Sequence, residues 1–444
     1  MEQKKPISFG FRGTMLIIYQ FIAYITFQVF TQYPLNILAD MYGGAQTVSK
    51  LYSICAIVGI LIQLALVGTV SKMKNVKAFG SILGAITLVL AFMVMTLPPG
   101  TGWMVCYAMI NVFAVLYATF SLGILVGQWF PTRKGTVMGI ATLAFPIANG
   151  LLGPFASAVF AKGFPDVKGA FLPFFILSIV GWIIGIIFIK DYPEQVGAYR
   201  DNDKNMTPEV AKAIMLEEME NKKSSVWTYL HTFSNKEFWF GTITVAMLLG
   251  CSIGVMSQSN AIINAYAEEL AFVGGYTGVM AMIMIFGCIG SFVLGLIDTR
   301  IGTRKAMIIS ACIMIIAGLL GLTQSAKGLL VAMIFVALFM GAASNFGVSF
   351  AAQYWRREDY SRIFTLSSPI GSAISSAAPM VVASLLFGPT GYKGHAGVFT
   401  AVLIAGIVSL VCMILVNPKH IKAQDDKYRE AAGKPLDDAL IGRK

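Results

Sequence analysis

Charge is what this sequence has least of. Only 12% of its 444 residues are Asp, Glu, Lys or Arg, about half the usual share for a soluble domain, while 57% are apolar. The 44 glycines argue further against one oversized soluble core, because they sit inside apolar runs where soluble helices avoid them. So apolar a composition excludes a disordered chain as well. Cysteine pairs are missing. Cys55, Cys106, Cys251, Cys288, Cys312 and Cys412 each lie within an apolar run, without C-x-x-C or metal spacing. They read as small packing residues, and neither a disulfide framework nor a metal site is expected. No Ser–His–acid set and no phosphate-binding glycine loop appears, so neither enzymatic activity nor a cofactor is expected. What remains is an integral membrane protein.

A helix needs about 20 apolar residues to cross the hydrocarbon core. Twelve segments supply them: 14–38, 48–70, 78–97, 103–129, 135–161, 169–189, 238–266, 277–297, 306–322, 328–350, 363–386 and 397–416. The expected fold is all-α, with twelve transmembrane helices in two six-helix, pseudo-symmetric bundles. The first bundle is expected over 1–189, a linker over 190–237, the second bundle over 238–416 and a tail over 417–444. In the linker, Thr207-Pro208-Glu209 is a good helix start, with a capping hydroxyl, proline at the first helical position and an acid in the first turn. Val210, Ala211, Ile214 and Met215 then give an apolar stripe, as a short helix on the membrane surface requires.

Basic residues set the orientation. Of the 33 lysines and arginines, 28 fall in the N-terminus, the linker, the tail and the loops on their side. Lys50, Lys162, Lys168, Lys327 and Lys393 are left on the other. Both termini and the linker are therefore expected in the cytosol, with the chain multi-pass in a cell membrane, most simply a bacterial one. The net charge of +11 is then topological, and no nucleic-acid partner is implied. The lipid bilayer and a small-molecule substrate are the expected partners, and a monomer the expected state. The first apolar run is too long for a signal-peptide core and is read as a retained span.

The halves repeat. Gln128-Trp129-Phe130, the basic pair Arg133-Lys134, Pro146-Ile147 and Pro154 form one series. Gln353-Tyr354-Trp355, Arg356-Arg357, Pro369-Ile370 and Pro379 form the other, about 225 residues later. Six spans repeated in one orientation suit two bundles rocking around a shared midplane site. Here the chain resembles the major facilitator superfamily. The loop Asp298-Thr299-Arg300-Ile301-Gly302-Thr303-Arg304-Lys305 is similar to the family's acid–glycine–basic signature. The first-half copy around Gly68, Lys72, Lys74 and Lys77 keeps the charge but lacks the acid and the second glycine. Gln128-Trp129-Phe130-Pro131-Thr132-Arg133-Lys134-Gly135 looks like the oxalate/formate and monocarboxylate porter branch.

That resemblance implies a gate at Asp298, with Arg304 and Arg357 among its basic partners. It also implies that spans one and seven line the cavity. Intramembrane amides are costly in lipid and should face protein or water. The substrate-facing candidates are Gln28, Gln32, Tyr33, Asn111, Gln258, Asn260 and Asn345, with interhelical hydrogen bonding as the alternative role. Gly150-Leu151-Leu152-Gly153-Pro154 resembles part of an antiporter motif but is better read as small residues for close helix approach.

No carboxylate or histidine falls mid-span, whereas proton-driven carriers use such a group. Coupling is therefore expected either at outer-end groups, with Asp40, Lys50 and Glu268 the candidates, or not at all. Span eight carries no cation, although the branch resemblance implies an arginine there, and this disfavours a dicarboxylate. The expected function is transport of a small organic solute by alternating access. An organic acid is favoured, a monocarboxylate or an amphipathic, aromatic or steroid-like one. Export of drugs or other amphipathic compounds is the alternative, and a non-transporting membrane sensor a further one.

Overall fold

The structure, a computed structural model, describes residues 9–32, 34–35, 42–70, 75–118, 124–130, 134–160, 167–203, 206–221, 225–340, 342–388, 391–434 and 436. The first half holds α1 (Gly10–Phe27), α2 (Ala45–Val70), α3 (Val76–Thr96), α4 (Thr101–Ala118), α5 (Ile124–Trp129), α6 (Lys134–Thr142), α7 (Ala144–Phe160) and α8 (Val167–Phe188). Two short helices follow, α9 (Pro208–Asn221) and α10 (Tyr229–Ser234). The second half holds α11 (Lys236–Ser257), α12 (Ser259–Asn264), α13 (Gly275–Ile301), α14 (Thr303–Gly321), α15 (Ala326–Met340), α16 (Ala343–Tyr354), α17 (Arg357–Ser376), α18 (Ala378–Leu386) and α19 (Ala396–Leu415). A two-residue hairpin, β1 (Phe387–Gly388) with β2 (Gly391–Tyr392), precedes α19, and α20 (Pro418–Ala431) follows it.

Among the described residues, ten helices are long and apolar enough to cross a membrane, and the bent pair α15–α16 makes an eleventh. The shorter apolar stretch Thr136–Leu151, built by α6 and α7, lies where the fifth span was expected. The described residues of all twelve expected segments thus fall almost wholly on helix, and the fold is an all-α membrane protein. Local chemistry sets several ends. Asn75 and Asn235 accept hydrogen bonds from the amides of Ala78 and Phe238 and so cap α3 and α11, satisfying donors that a helix leaves free. Gly302, at φ +92°, makes the sharp turn between α13 and α14, a conformation that side-chain-bearing residues rarely adopt.

Several spans are interrupted or locally loosened. α1 loosens into a π-helical turn at Gln28–Gln32. α11 breaks at Gln258, and α17 gives way to α18 at Ala377. Such breaks free backbone groups and are tolerated in membranes where protein or a cavity surrounds them.

Each bundle has its own core. The second packs around one cluster that includes Phe339, Phe346 and Phe399. The first has two: one centred on Trp103, which stacks at 3.8 Å on Tyr42 and 4.8 Å on Tyr107, and one around Leu16, Tyr19, Trp129 and Phe130. The bundles meet along α2 with α17 and α18, and along α6 and α7 with α13 and α16. Approach there is close: a side chain at Gly150 would collide with Met284, and one at Gly287 would come within 2.6 Å of Pro146. The face where α1 starts and α8 ends also carries the linker and α20, and is called the linker face below.

Candidate functional site: a cavity between two bundles

A cavity of about 180 Å³ lies between the bundles in the half nearest the linker face. Phe238, Gly241, Thr242, Val245 and Leu249 line it from the linker-face half of α11. Their spacing puts Phe238, Thr242, Val245 and Leu249 on one helix face. α16 and its end supply Val348, Phe350, Ala351 and Trp355, and α17 supplies Ile363, Phe364, Ser367, Ser368 and Ser372. The first bundle contributes Tyr24, Ala118 and Met138. The described lining carries hydroxyls and aromatic rings but no charged side chain.

On the opposite face the bundles are tied together. Gln46 on α2 donates to the carbonyl of Phe387 at 3.0 Å. Gln258, at the break between α11 and α12, donates to Ser49 Oγ on α2 at 3.1 Å, and both residues are buried. Nearer the middle, Asn149 on α7 links three helices. It accepts from Gln28 Nε2 at 3.3 Å and donates to Met340 Sδ of the other bundle at 3.4 Å. This gives a chamber on one side of a sealed inter-bundle contact.

The sequence candidates divide by what they touch. Gln28 and Gln258 sit at helix breaks and hold the contacts just described. Gln32 pairs with the Tyr52 hydroxyl. Asn111 donates to its own helix at the Tyr107 carbonyl, 2.7 Å away. Asn260 accepts from Asn264 at 2.7 Å near the opposite face. Asn345 is buried, and among the described residues neither its Oδ1 nor its Nδ2 has a hydrogen-bond partner. It stands one turn before cavity-lining Val348 and faces Gly139, the neighbour of cavity-lining Met138. Tyr33 and Asp40 lie outside the described residues. Lys50 and Glu268 are exposed at the opposite face.

Asp298 is buried at the end of α13, where it accepts from Thr303 Oγ1 at 2.6 Å and from Ser349. Both partners belong to its own bundle. Arg304 turns elsewhere, donating to the carbonyls of Met413 and Ile414 at 2.9 and 2.8 Å, and the Arg357 side chain lies outside the described ones. Sequence reasoning misses Asn149 and Ser49. The serines of span eleven read from sequence as small packing residues with one or two hydroxyls left to face a cavity, and Ser367, Ser368 and Ser372 are on its lining.

A model of the Major Facilitator Superfamily matches residues 118–297 and 253–441. Among solved structures, a crystal structure of a mutant of the nucleoside transporter NupG has a similar fold, with TM-score 0.59 and 12% identity. The match covers 93% of this chain and 99% of that one. Among curated proteins, none matches the sequence. The chain belongs to the Major Facilitator Superfamily. It is a secondary transporter in fold and family, not an enzyme.

Proposed function

We propose that this transporter carries a small amphipathic organic solute across the cell membrane by alternating access, with the linker face in the cytosol. The observation that carries the reading is the inter-bundle cavity, closed on one face by Gln46–Phe387 and Gln258–Ser49. A site reachable from one side at a time is what two rocking bundles produce. The lining narrows the solute. A short carboxylate has no cation to pair with among the described lining residues, and an isolated buried charge is strongly disfavoured. An organic acid with a large aromatic or steroid-like body keeps its place, because the rings fill the cavity while the acid group reaches the mouth. The same apolar lining supports export of amphipathic compounds as a second reading.

In this reading Asp298 steadies the α13–α14 turn while the cytosolic side is open, and it takes partners from the other bundle when that side closes. Any proton dependence enters through Glu268 and the other outer-end groups. The test is uptake and efflux by purified protein in liposomes, with a panel of radiolabelled steroids, aromatic acids and lactate. Protein-dependent movement of a ring-bearing solute is expected. Movement of lactate alone would overturn the solute class, and movement of none of them the transport reading.

A further inference from the structure

The cavity wall is two-sided, and the division follows the helices. α17 presents Ser367, Ser368 and Ser372, none of them fully buried. Ser368 and Ser372 are four residues apart, so their hydroxyls stand about 6 Å apart along the helix. α11 and α16 present Phe238, Leu249, Phe350 and Trp355. Trp355 adds a second kind of signal: it is buried, it lines the cavity, and its indole Nε1 has no hydrogen-bond partner among the described residues. A buried donor left unpaired is unfavourable, and indole N–H groups usually find a partner when buried. The ring is held edge-on to Trp227 at 5.9 Å and packs against Phe350 at 5.8 Å, so its place is fixed while its N–H stays unsatisfied.

We propose that the cavity selects a facially amphipathic ring system: a rigid, fused-ring solute with hydroxyl groups on one face and hydrocarbon on the other. The inference rests on the transport reading above and names the substrate class of that site. The hydroxylated face meets the serines of α17, which both donate and accept. The hydrocarbon face lies on the aromatics of α11 and α16. Trp355 Nε1–H donates to an acceptor at the mouth end of the solute once it is bound. A flat solute with polar groups on both faces must turn a hydroxyl onto Phe238 or Phe350 and loses that hydrogen bond.

The test compares two tritiated steroid diols that are epimers, one with both hydroxyls on the same face of the rings and one with them on opposite faces. Binding to detergent-purified protein and uptake into liposomes are measured separately. Wild type is expected to bind the same-face epimer about three- to tenfold more tightly, the range of one or two hydrogen bonds. The pair of substitutions Ser368→Ala and Ser372→Ala should erase that preference, weakening the same-face epimer more than the opposite-face one, which has a single hydroxyl to lose. Trp355→Phe should weaken both epimers about equally and keep the preference. Equal binding of the epimers by wild type, or a preference that survives both serine substitutions, overturns the proposal. Ser368→Thr keeps the hydroxyl and should keep the preference, which separates hydroxyl recognition from packing damage. Selective binding of the same-face epimer without uptake would uphold this inference and sink the transport reading. Uptake of lactate with no steroid binding would do the reverse.

Discussion

Asn345 shows how a single side chain carries both a stability effect and a functional one. Its amide is buried with neither end paired among the described residues, and such burial costs about 1–3 kcal/mol. Asn345→Leu, close in volume and without polar atoms, is therefore expected to raise the melting temperature in detergent and to lower transport; a lower melting temperature would show that the amide has a partner. Asp298 is the contrasting case, since its carboxylate is already engaged by Thr303 and Ser349. Charge-assisted bonds of that kind contribute about 1.5–3 kcal/mol. Asp298→Asn should leave the protein inserted but slow uptake, and unchanged uptake kinetics would remove the gating role. His395, in the turn before α19, is buried with Nε2 3.1 Å from the Gly321 carbonyl and between the rings of Tyr266 and Phe399. Burial lowers its pKa. Below about pH 6.5 the unfolded chain takes up a proton that the folded one resists, so stability should fall as pH drops through that value. His395→Gln should flatten that limb of a melting-temperature profile against pH, and an unaltered profile would acquit the histidine. The intramembrane amides were legible in the sequence as costly residues, whereas His395, outside every apolar span, was not. The partners of the amides were not legible either, because Gln258 and Ser49 are 209 positions apart.

At the scale of elements, α20 is the part that composition concealed. From the sequence, 417–444 reads only as a tail. Yet Ile421, Asp425 and Arg429 recur at four residues and are all buried, so the inward stripe of this helix is mostly ionic. Asp425 accepts from Arg356 at 2.9 Å, from Arg429 at 3.0 Å and from Trp227 Nε1 at 2.9 Å. Arg429 also donates to Asp359 at 3.2 Å, and Asp359 accepts from Ser225 in turn. A search for apolar periodicity passes over a face built of charges that find each other only after folding. Removing one member of a buried pair strands the other, at about 3–5 kcal/mol. Asp425→Asn should therefore lower thermal stability markedly. A change within error would mean that solvent reaches the network. Helix existence was plain from the long apolar runs, whereas the breaks at Gln28, Gln258 and Ala377 were not, since an apolar run reads the same whether the helix inside it is continuous or interrupted.

For the whole molecule, the repeat and the twelve spans were readable because hydropathy constrains a membrane chain so tightly. The mutual packing of the bundles was not, since small residues such as Gly150 and Gly287 mark close approach without naming the neighbour. The orientation expected from charge can be checked directly. Lys168→Cys and Lys393→Cys should react with a membrane-impermeant maleimide in intact cells, and Lys212→Cys should not; labelling at 212 in sealed cells would reverse the topology. The central claim is that the contact opposite the linker face opens during every transport cycle. It is tested by joining Ser49→Cys to Gln258→Cys with a short bis-maleimide and measuring uptake, into liposomes, of whichever ring-bearing solute wild type moves. The account expects the cross-linked protein to bind that solute from the linker side as wild type does and to transport none of it. Undiminished uptake by fully cross-linked protein would contradict alternating access around this cavity.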